Sequence, residues 1–407
     1  MKRSIPYTQA QQLILGLPDV RPETLTVTLA DACGRVLAED IVADIPIPPF
    51  AKSPFDGYAL RSADTAGATV QAPVTLRITE EIPAGGVPKH KITPGFAAKI
   101  LTGGAMPEGA DCTEKYEVTT STDETVTFTA PVSPGNVVRM GEDVPAGTVV
   151  GRRGDVVSPG AVGIFASVGR DKVMVYGRPK IGIISTGNEL VEPGDELPPG
   201  KIYSSSALSL AGELAAMGID AESFAIVPDD AGAIADAIRR CVAGYDAVIT
   251  TGGASVGDYD FLREAVKMAG AEILFWKTKI KPGGTMLASE IDRKLVLSLS
   301  GNPGAALTGL LIIGRPYLLR IAGRNEIFPE KVQVHLRAPF TKNSGRSRML
   351  RGRLEIDGGK AWFVEQGSQG SGALSSFVGC SLLAEIKPDE VPLEAGALVE
   401  AYRLPNY

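Results

Sequence analysis

The chain has 407 residues, of which 44% are apolar and 22% charged, enough for two to three domains and wrong for a disordered segment. A net charge of −6 argues against a coat for nucleic acid or an anionic membrane. The four cysteines (Cys33, Cys112, Cys241, Cys380) lie far apart without a C-x-x-C, which fits a reduced cytoplasmic protein. The two histidines, His90 and His335, sit in extended polar surroundings and exclude a Ser-His-Asp triad, a Cys-His pair or a His-rich zinc site.

Residues 6–17 predict a short amphipathic helix, and Leu13-Ile14-Leu15 is too short for a signal-peptide core. Residues 26–140 read as β-rich, with Thr and Val prominent and Pro-Gly turns at Pro94-Gly95 and Pro134-Gly135. Ser158-Pro159 opens a further helix. From about 178 to 323, strands alternate with helices: strands at Lys180 to Ser185, Ser223 to Val227, Ala247 to Thr250, Ile273 to Trp276 and Leu295 to Leu299. The helices are Ser204 to Met217, one capped by Asp229 or Asp230, Phe261 to Met268, and one from Ala305. That alternation predicts an open, mainly parallel α/β sheet. The apolar stretch near 305–313 contains Thr308 and Gly309 and meets Arg315 and Pro316, so no membrane span is expected. Beyond 326 the pattern alternates as strands, a small all-β unit.

In an open α/β sheet, ligands bind beyond the carboxyl ends of the strands. Four loops fall there: Ser185-Thr186-Gly187-Asn188-Glu189, Pro228-Asp229-Asp230, the run from Thr251 through Gly252, Gly253, Ser255 and Asp258, and Ser300-Gly301-Asn302-Pro303-Gly304. Their glycines admit close backbone approach and the helix starts favour anions, so a phosphate-like ligand is expected, although a lone glycine-rich loop is often only a tight turn. The carboxylates Glu189, Asp229, Asp230, Asp258 and Asp260 on the same loops call for a hard cation between them and an anion, with Mg²⁺ the first choice. Helix capping would alone explain Asp229 or Asp260. Lys277, Lys279 and Lys281 would share one strand face, with Lys281 nearest the Pro282-Gly283 turn. Between Lys331 and Arg353 the cations Arg337, Lys342, Arg346, Arg348 and Arg351 occur without an acidic residue, either a second anion contact or a solvated hairpin.

The segments SPFDGYA (53–59), LTGGAMPEGAD (101–111), RMGED (139–143), STGNEL (185–190), TTGGASVGDYDF (250–261), WKTKIKPG (276–283) and SGNPGAAL (300–307) occur in an order that resembles the molybdopterin molybdenumtransferases, the MoeA family that includes the gephyrin E domain. The resemblance runs from about residue 5 to the C-terminus and implies four parts. These are a linking domain (1–25 and 140–177), a β-rich domain (26–139), an α/β molybdopterin-binding domain (178–325) and a C-terminal β-barrel (326–407). It further implies a homodimer whose cleft joins the α/β domain of one subunit to the β-rich domain of the other. The implied reaction is Mg²⁺-dependent insertion of molybdate into adenylylated molybdopterin with release of AMP, the substrate arriving from a molybdopterin adenylyltransferase by transient contact. By motif position, Asp56, Thr102, Asp143, Glu189, Asp229, Asp260, Lys277 and Lys281 match the family's active-site residues, with Glu189, Asp229 and Asp260 as metal ligands. Thr186, Gly187, Gly252, Gly253, Ser255, Asp258, Ser300, Gly301, Asn302, Pro303 and Arg351 are the expected cofactor-binding set. Two departures stand out: Ser300 where the family commonly has proline, and Gly284 where it often has lysine. A non-catalytic molybdopterin-binding relative and an adenylyltransferase remain alternative readings.

Overall fold

The computed structural model describes residues 2–18, 20–252 and 259–404. Its centre is a seven-stranded sheet in the order Lys2–Ile5, Glu272–Thr278, Leu287–Ile291, Lys294–Leu299, Ala247–Thr251, Lys180–Ser185, Asp220–Ser223. All neighbours are parallel except Leu287–Ile291, which runs antiparallel to both its partners. Both faces are covered, as a parallel sheet requires. Ile181, Ile183, Ile249 and Leu297 face the helices Tyr7–Leu15, Ser206–Ala216 and the run 303–321. Ile184, Val248 and Val296 face Ala231–Gly244 and Tyr259–Met268. The expected α/β sheet is therefore present, with one antiparallel strand added. The edge strand is Asp220–Ser223 rather than Ser223 to Val227, and Val227 reaches the sheet only through a bridge to Thr186.

The run Pro303–Ile321 is one helix, 19 residues long, with a π-helical turn at Leu310–Gly314 that absorbs Pro316 without ending it. It is long and apolar enough to cross a membrane, which the expectation from Thr308, Gly309 and Arg315 did not allow, but nearly all of it is buried in the core under the sheet.

A six-stranded mixed sheet occupies the region between Gly57 and Phe128, with Phe96–Ile100 and Val74–Ile82 at its centre. Thr24–Thr28 pairs with Lys172–Tyr176 and is packed by Pro159–Ser167, whose start Ser158 caps by accepting from the Ala161 N–H. The C-terminal strands Lys331–Leu336, Ser347–Asp357, Lys360–Glu365, Leu382–Ile386 and Leu398–Arg403 close into a barrel around Val334, Leu350, Phe363 and Ala401. Two of the contacts that fix the barrel to the α/β domain involve Lys281 and Tyr7. Ile280–Lys281 adds a short parallel pairing to Ser347–Asp357, and Tyr7 donates to the buried Glu385 carboxylate at 2.8 Å, with Tyr402 at 3.2 Å from the same oxygen.

Candidate active site

Three loops converge at the carboxyl ends of Lys180–Ser185, Ala247–Thr251 and Lys294–Leu299. The Thr186 N–H and hydroxyl both donate to the Thr251 carbonyl, at 2.7 and 3.3 Å. Gly252 has φ +112°, and a Cβ there would stand 1.9 Å from the Thr186 carbonyl oxygen, so only glycine lets these loops touch. The Ser206 hydroxyl donates to the Gly301 carbonyl at 3.3 Å. Thr186, Glu189, Thr251, Gly252, Gly301 and Pro303 line one narrow cavity together with Ser204 to Ser206, hydroxyls that the sequence reading took only as a helix start.

Asn188 and Asp229 bind reciprocally. The Asn188 N–H donates to Asp229 Oδ2 at 3.0 Å and the Asp229 N–H to Asn188 Oδ1 at 3.3 Å, which sets Asp229 beside the exposed Glu189. Asp230, not Asp229, caps the helix Ala231–Gly244, accepting from the Ala233 N–H at 2.8 Å. Capping therefore does not account for Asp229. Gly253, Ser255 and Asp258, and the side chain of Asp260, lie outside the described residues. Among the described residues no three His, Cys, Asp or Glu side chains gather as a metal cluster. Two carboxylates among hydroxyls and carbonyls are nevertheless an all-oxygen donor set, suited to a hard cation that keeps several waters.

The lysines do not share one face. Lys277 has φ +63°, which breaks the pleat, and its ammonium lies 4.8 Å from the Trp276 ring centroid. Glu272–Thr278 stops there, and Lys281 belongs instead to the two-residue pairing with the barrel. Lys281, Thr285, Ser300 and Asn302 form one wall of a cleft of about 660 Å³. Lys342, Arg346, Arg348 and the segment 367–371 form the other, with Glu365 as the single carboxylate. None of the four cations makes an ion pair or a side-chain hydrogen bond among the described residues. The acid-free run from 331 to 353 was the sequence signal for this wall, but it did not separate the residues that face the cleft from Arg351.

Arg351 is fully buried. Its Nε donates to the Ser376 hydroxyl at 2.7 Å, and Nη2 donates to the carbonyls of Ser368 and Gly370 at 3.2 and 3.0 Å. Desolvation by burial lowers its pKa, with the nearby Glu365 carboxylate acting in the opposite direction. The segment it holds accepts at the Ser371 carbonyl from the Ala305 N–H, 2.9 Å away in the first turn after Ser300–Pro303. Arg351 thus shapes the cleft wall from inside the barrel. The two departures are also explained. Ser300 is buried and its hydroxyl accepts from the Asn302 N–H at 3.3 Å, so it orders the loop. A Cβ at Gly284 would lie 2.3 Å from the Ile280 carbonyl oxygen and 2.6 Å from that of Thr278, which leaves no room for any side chain.

Asp56 and Thr102 form a separate pair. Asp56 Oδ1 accepts from the Thr102 N–H and hydroxyl, each at 2.7 Å, because Gly57 and Ile100 are register partners. These two donors hold the Asp56 carboxyl below the usual carboxylate range. Asp143 is exposed, its N–H donating to Ile47. No hydrogen bond or ion pair among the described residues ties Asp56, Thr102 or Asp143 to the α/β loops or to the cationic cleft.

Comparison with known proteins covers the whole of this arrangement. Residues 5–169 match the MoeA N-terminal region (domain I and II), 182–320 a probable molybdopterin binding domain, and 333–404 the MoeA C-terminal region (domain IV). A molybdopterin molybdenumtransferase of Staphylococcus aureus (strain COL) is 33% identical over 98% of this chain and 95% of its own, and one of Staphylococcus epidermidis 31% identical over 94% and 91%. The molybdopterin biosynthesis moeA protein of Pyrococcus horikoshii OT3 superposes with a TM-score of 0.83 at 31% identity, covering 98% of this chain and 100% of that one. The chain belongs to the MoeA family, the molybdopterin molybdenumtransferases of molybdenum cofactor biosynthesis.

Proposed function

We propose that this chain inserts molybdate into adenylylated molybdopterin with release of AMP, aided by Mg²⁺, as a cytoplasmic homodimer. The observation that carries the reading is the cleft of Lys281, Lys342, Arg346 and Arg348 against one carboxylate. Four unpaired cations facing one cavity repel each other unless an anion lies among them, and a phosphate or a metal oxyanion supplies that charge. The cleft adjoins the Ser300–Pro303 loop, which also meets Gly252 and Thr186, so a ligand with both a pterin body and anionic groups spans the two regions.

Lys281 and the barrel cations offset the negative charge of phosphate and oxyanion as a water oxygen bonds to one phosphorus of the phosphoanhydride, the bridging P–O bond breaks and AMP leaves. Glu189 and Asp229, with Asp260, would hold Mg²⁺, whose contribution is to neutralise phosphate oxygens that would otherwise meet carboxylates. Lys277, set apart beside Trp276, contributes charge to the α/β side of the site. Asp56, Thr102 and Asp143, which make no bond to the α/β loops of their own chain among the described residues, complete the site of a second subunit. A molybdopterin adenylyltransferase delivers the substrate by transient contact. Purified protein given adenylylated molybdopterin, Mg²⁺ and molybdate should release AMP only when molybdate is present and yield active cofactor. Tight binding without AMP release would replace this reading with a cofactor-holding relative.

A further inference from the structure

We infer that the β-rich domain carries a pocket of its own, beside Asp56, that takes an aminopyrimidine ring of the substrate. This deepens the function proposed above and rests on it for the identity of that ring. A cavity of about 710 Å³ opens on the six-stranded sheet, large enough for a bicyclic heterocycle. Tyr58 and Tyr116 line it with their rings edge to face, centroids 5.2 Å apart. Tyr58 stands two residues after Asp56, and the Tyr116 N–H donates to the Asp56 carbonyl at 3.4 Å, so the pocket adjoins the Asp56–Thr102 pair. Tyr58, Lys99 and Glu81 are register partners across three neighbouring strands and form one row. Within that row Lys99 Nζ donates to the Glu81 carboxylate at 2.8 Å.

The charges here differ in kind from those of the cationic cleft. Among the described residues the lining holds Glu80, Glu81 and Asp123 against Lys99 alone, so a phosphate or an oxyanion is repelled. Glu80 already accepts from the N–H groups of Lys89 and His90, at 3.0 and 2.8 Å, which leaves Glu81, Asp123 and Lys99 to meet a ligand. An ammonium in the middle of the row also disfavours a bare metal cation. A ring edge that offers N–H donors beside an acceptor nitrogen or carbonyl matches carboxylates next to an ammonium. Adenine and pterin both present such an edge, and the two tyrosines supply apolar surface for its flat body. With the anionic groups of the substrate drawn to the cleft cations, an uncharged ring end falls to the domain that a second subunit brings to the site.

Chemical-shift titration of the full-length protein with adenosine and with unsubstituted pterin, both free of phosphate, tests the pocket without turnover. Lys99→Met should weaken binding of one probe by about tenfold to a hundredfold, as the loss of a hydrogen bond to a charged group implies. Glu81→Gln, which keeps the shape of the row, should weaken the same probe. Lys91→Gln, at a lysine of the same domain paired with Glu108, should leave both affinities unchanged. Loss with adenosine assigns the pocket to the nucleotide end of the substrate, and loss with pterin assigns it to the other end. In turnover the Lys99→Met variant should then raise KM with little change in kcat, because the ring is remote from the bond that breaks. Equal affinities of Lys99→Met and the parent protein for both probes, no binding by either included, overturn the inference. A parent protein that binds a probe through Lys99 yet makes no cofactor would sink the function while leaving this site standing.

Discussion

Arg351→Met tests whether the buried arginine acts by shaping the cleft. The substitution removes the donors to the buried Ser376 hydroxyl and to the partly buried carbonyls of the exposed residues Ser368 and Gly370. Each abandoned acceptor costs about 1–3 kcal/mol, but the variant also escapes the expense of burying a cation that no carboxylate pairs with. The net destabilisation should be about 2–4 kcal/mol, lowering the unfolding midpoint by roughly 8–30 °C in a domain of this size. The segment 367–371 then loses its anchor, and with it the Ser371 carbonyl that fastens Ala305 behind the Ser300–Pro303 loop. Because the guanidinium does not line the cleft, Arg351→Lys should restore part of the stability and part of the activity together. Differential scanning calorimetry and steady-state AMP release measure the two. A variant with the parent's unfolding midpoint but no measurable oxyanion binding would refute the reasoning, since that outcome belongs to a residue that touches ligand.

If the site is shared between subunits, Asp56→Asn and Lys281→Ala should each be inactive alone, yet a mixture allowed to exchange subunits should recover about a quarter of the parent activity, the statistical share of intact sites in a two-fold dimer; no recovery would place both residues in one subunit's site. The Thr102 donors hold the Asp56 carboxyl low, so activity that needs this charge is level through neutral pH and falls only as pH drops through the folded-state value. Thr102→Val removes the hydroxyl donor and should move that acid limb upward, measured as kcat/KM against pH; an unmoved limb would dismiss Asp56 as the titrating group. Chelation should abolish turnover and Mg²⁺ restore it, and Glu189→Gln should require more Mg²⁺ for half-maximal rate by about tenfold, as a lost charged ligand implies. An unchanged Mg²⁺ requirement would remove Glu189 from the metal.

The sheet was legible where burial on both faces makes a strand a continuous apolar run, as in Lys180–Ser185 and Lys294–Leu299. Leu287–Ile291 was not. Its hairpin turns at Asp292 and Arg293, both with positive φ (51° and 66°), a conformation that Asn-Gly would have advertised and arginine does not. The long helix was read too cautiously because a glycine and a proline in sequence do not reveal that a π turn will absorb them. The glycine loops were visible as loops, but their contact was not. That Gly252 lies against Thr186 depends on parallel register between Lys180–Ser185 and Ala247–Thr251, which is a tertiary fact. Arg351 illustrates the same limit more sharply. It stands three residues from Arg348 in a run of cations, and only the barrel's closure decides that one is buried and the other faces the cleft.

The arrangement of opposite charges has its own logic. Glu189 and Asp229 sit on the first two loops of the α/β domain, while Lys281 and the barrel cations sit beyond the Ser300–Pro303 loop. Were these sets in contact, they would pair and neutralise one another, and neither would be left to act on a ligand. No ion pair among the described residues joins them. What keeps them apart is local backbone geometry and hydrogen bonding. Lys277 leaves the pleat at a positive φ, Lys281 is drawn into the barrel by pairing with Arg348, and Asp229 is turned toward Asn188 by two backbone bonds. A substrate carrying anionic groups at one end and a metal-bridged group at the other satisfies both sets at once, whereas a simple anion satisfies only the cleft. On the proposed function, free oxyanion should bind weakly and the whole substrate tightly, and equal affinities for molybdate and for adenylylated molybdopterin would refute that division of charge.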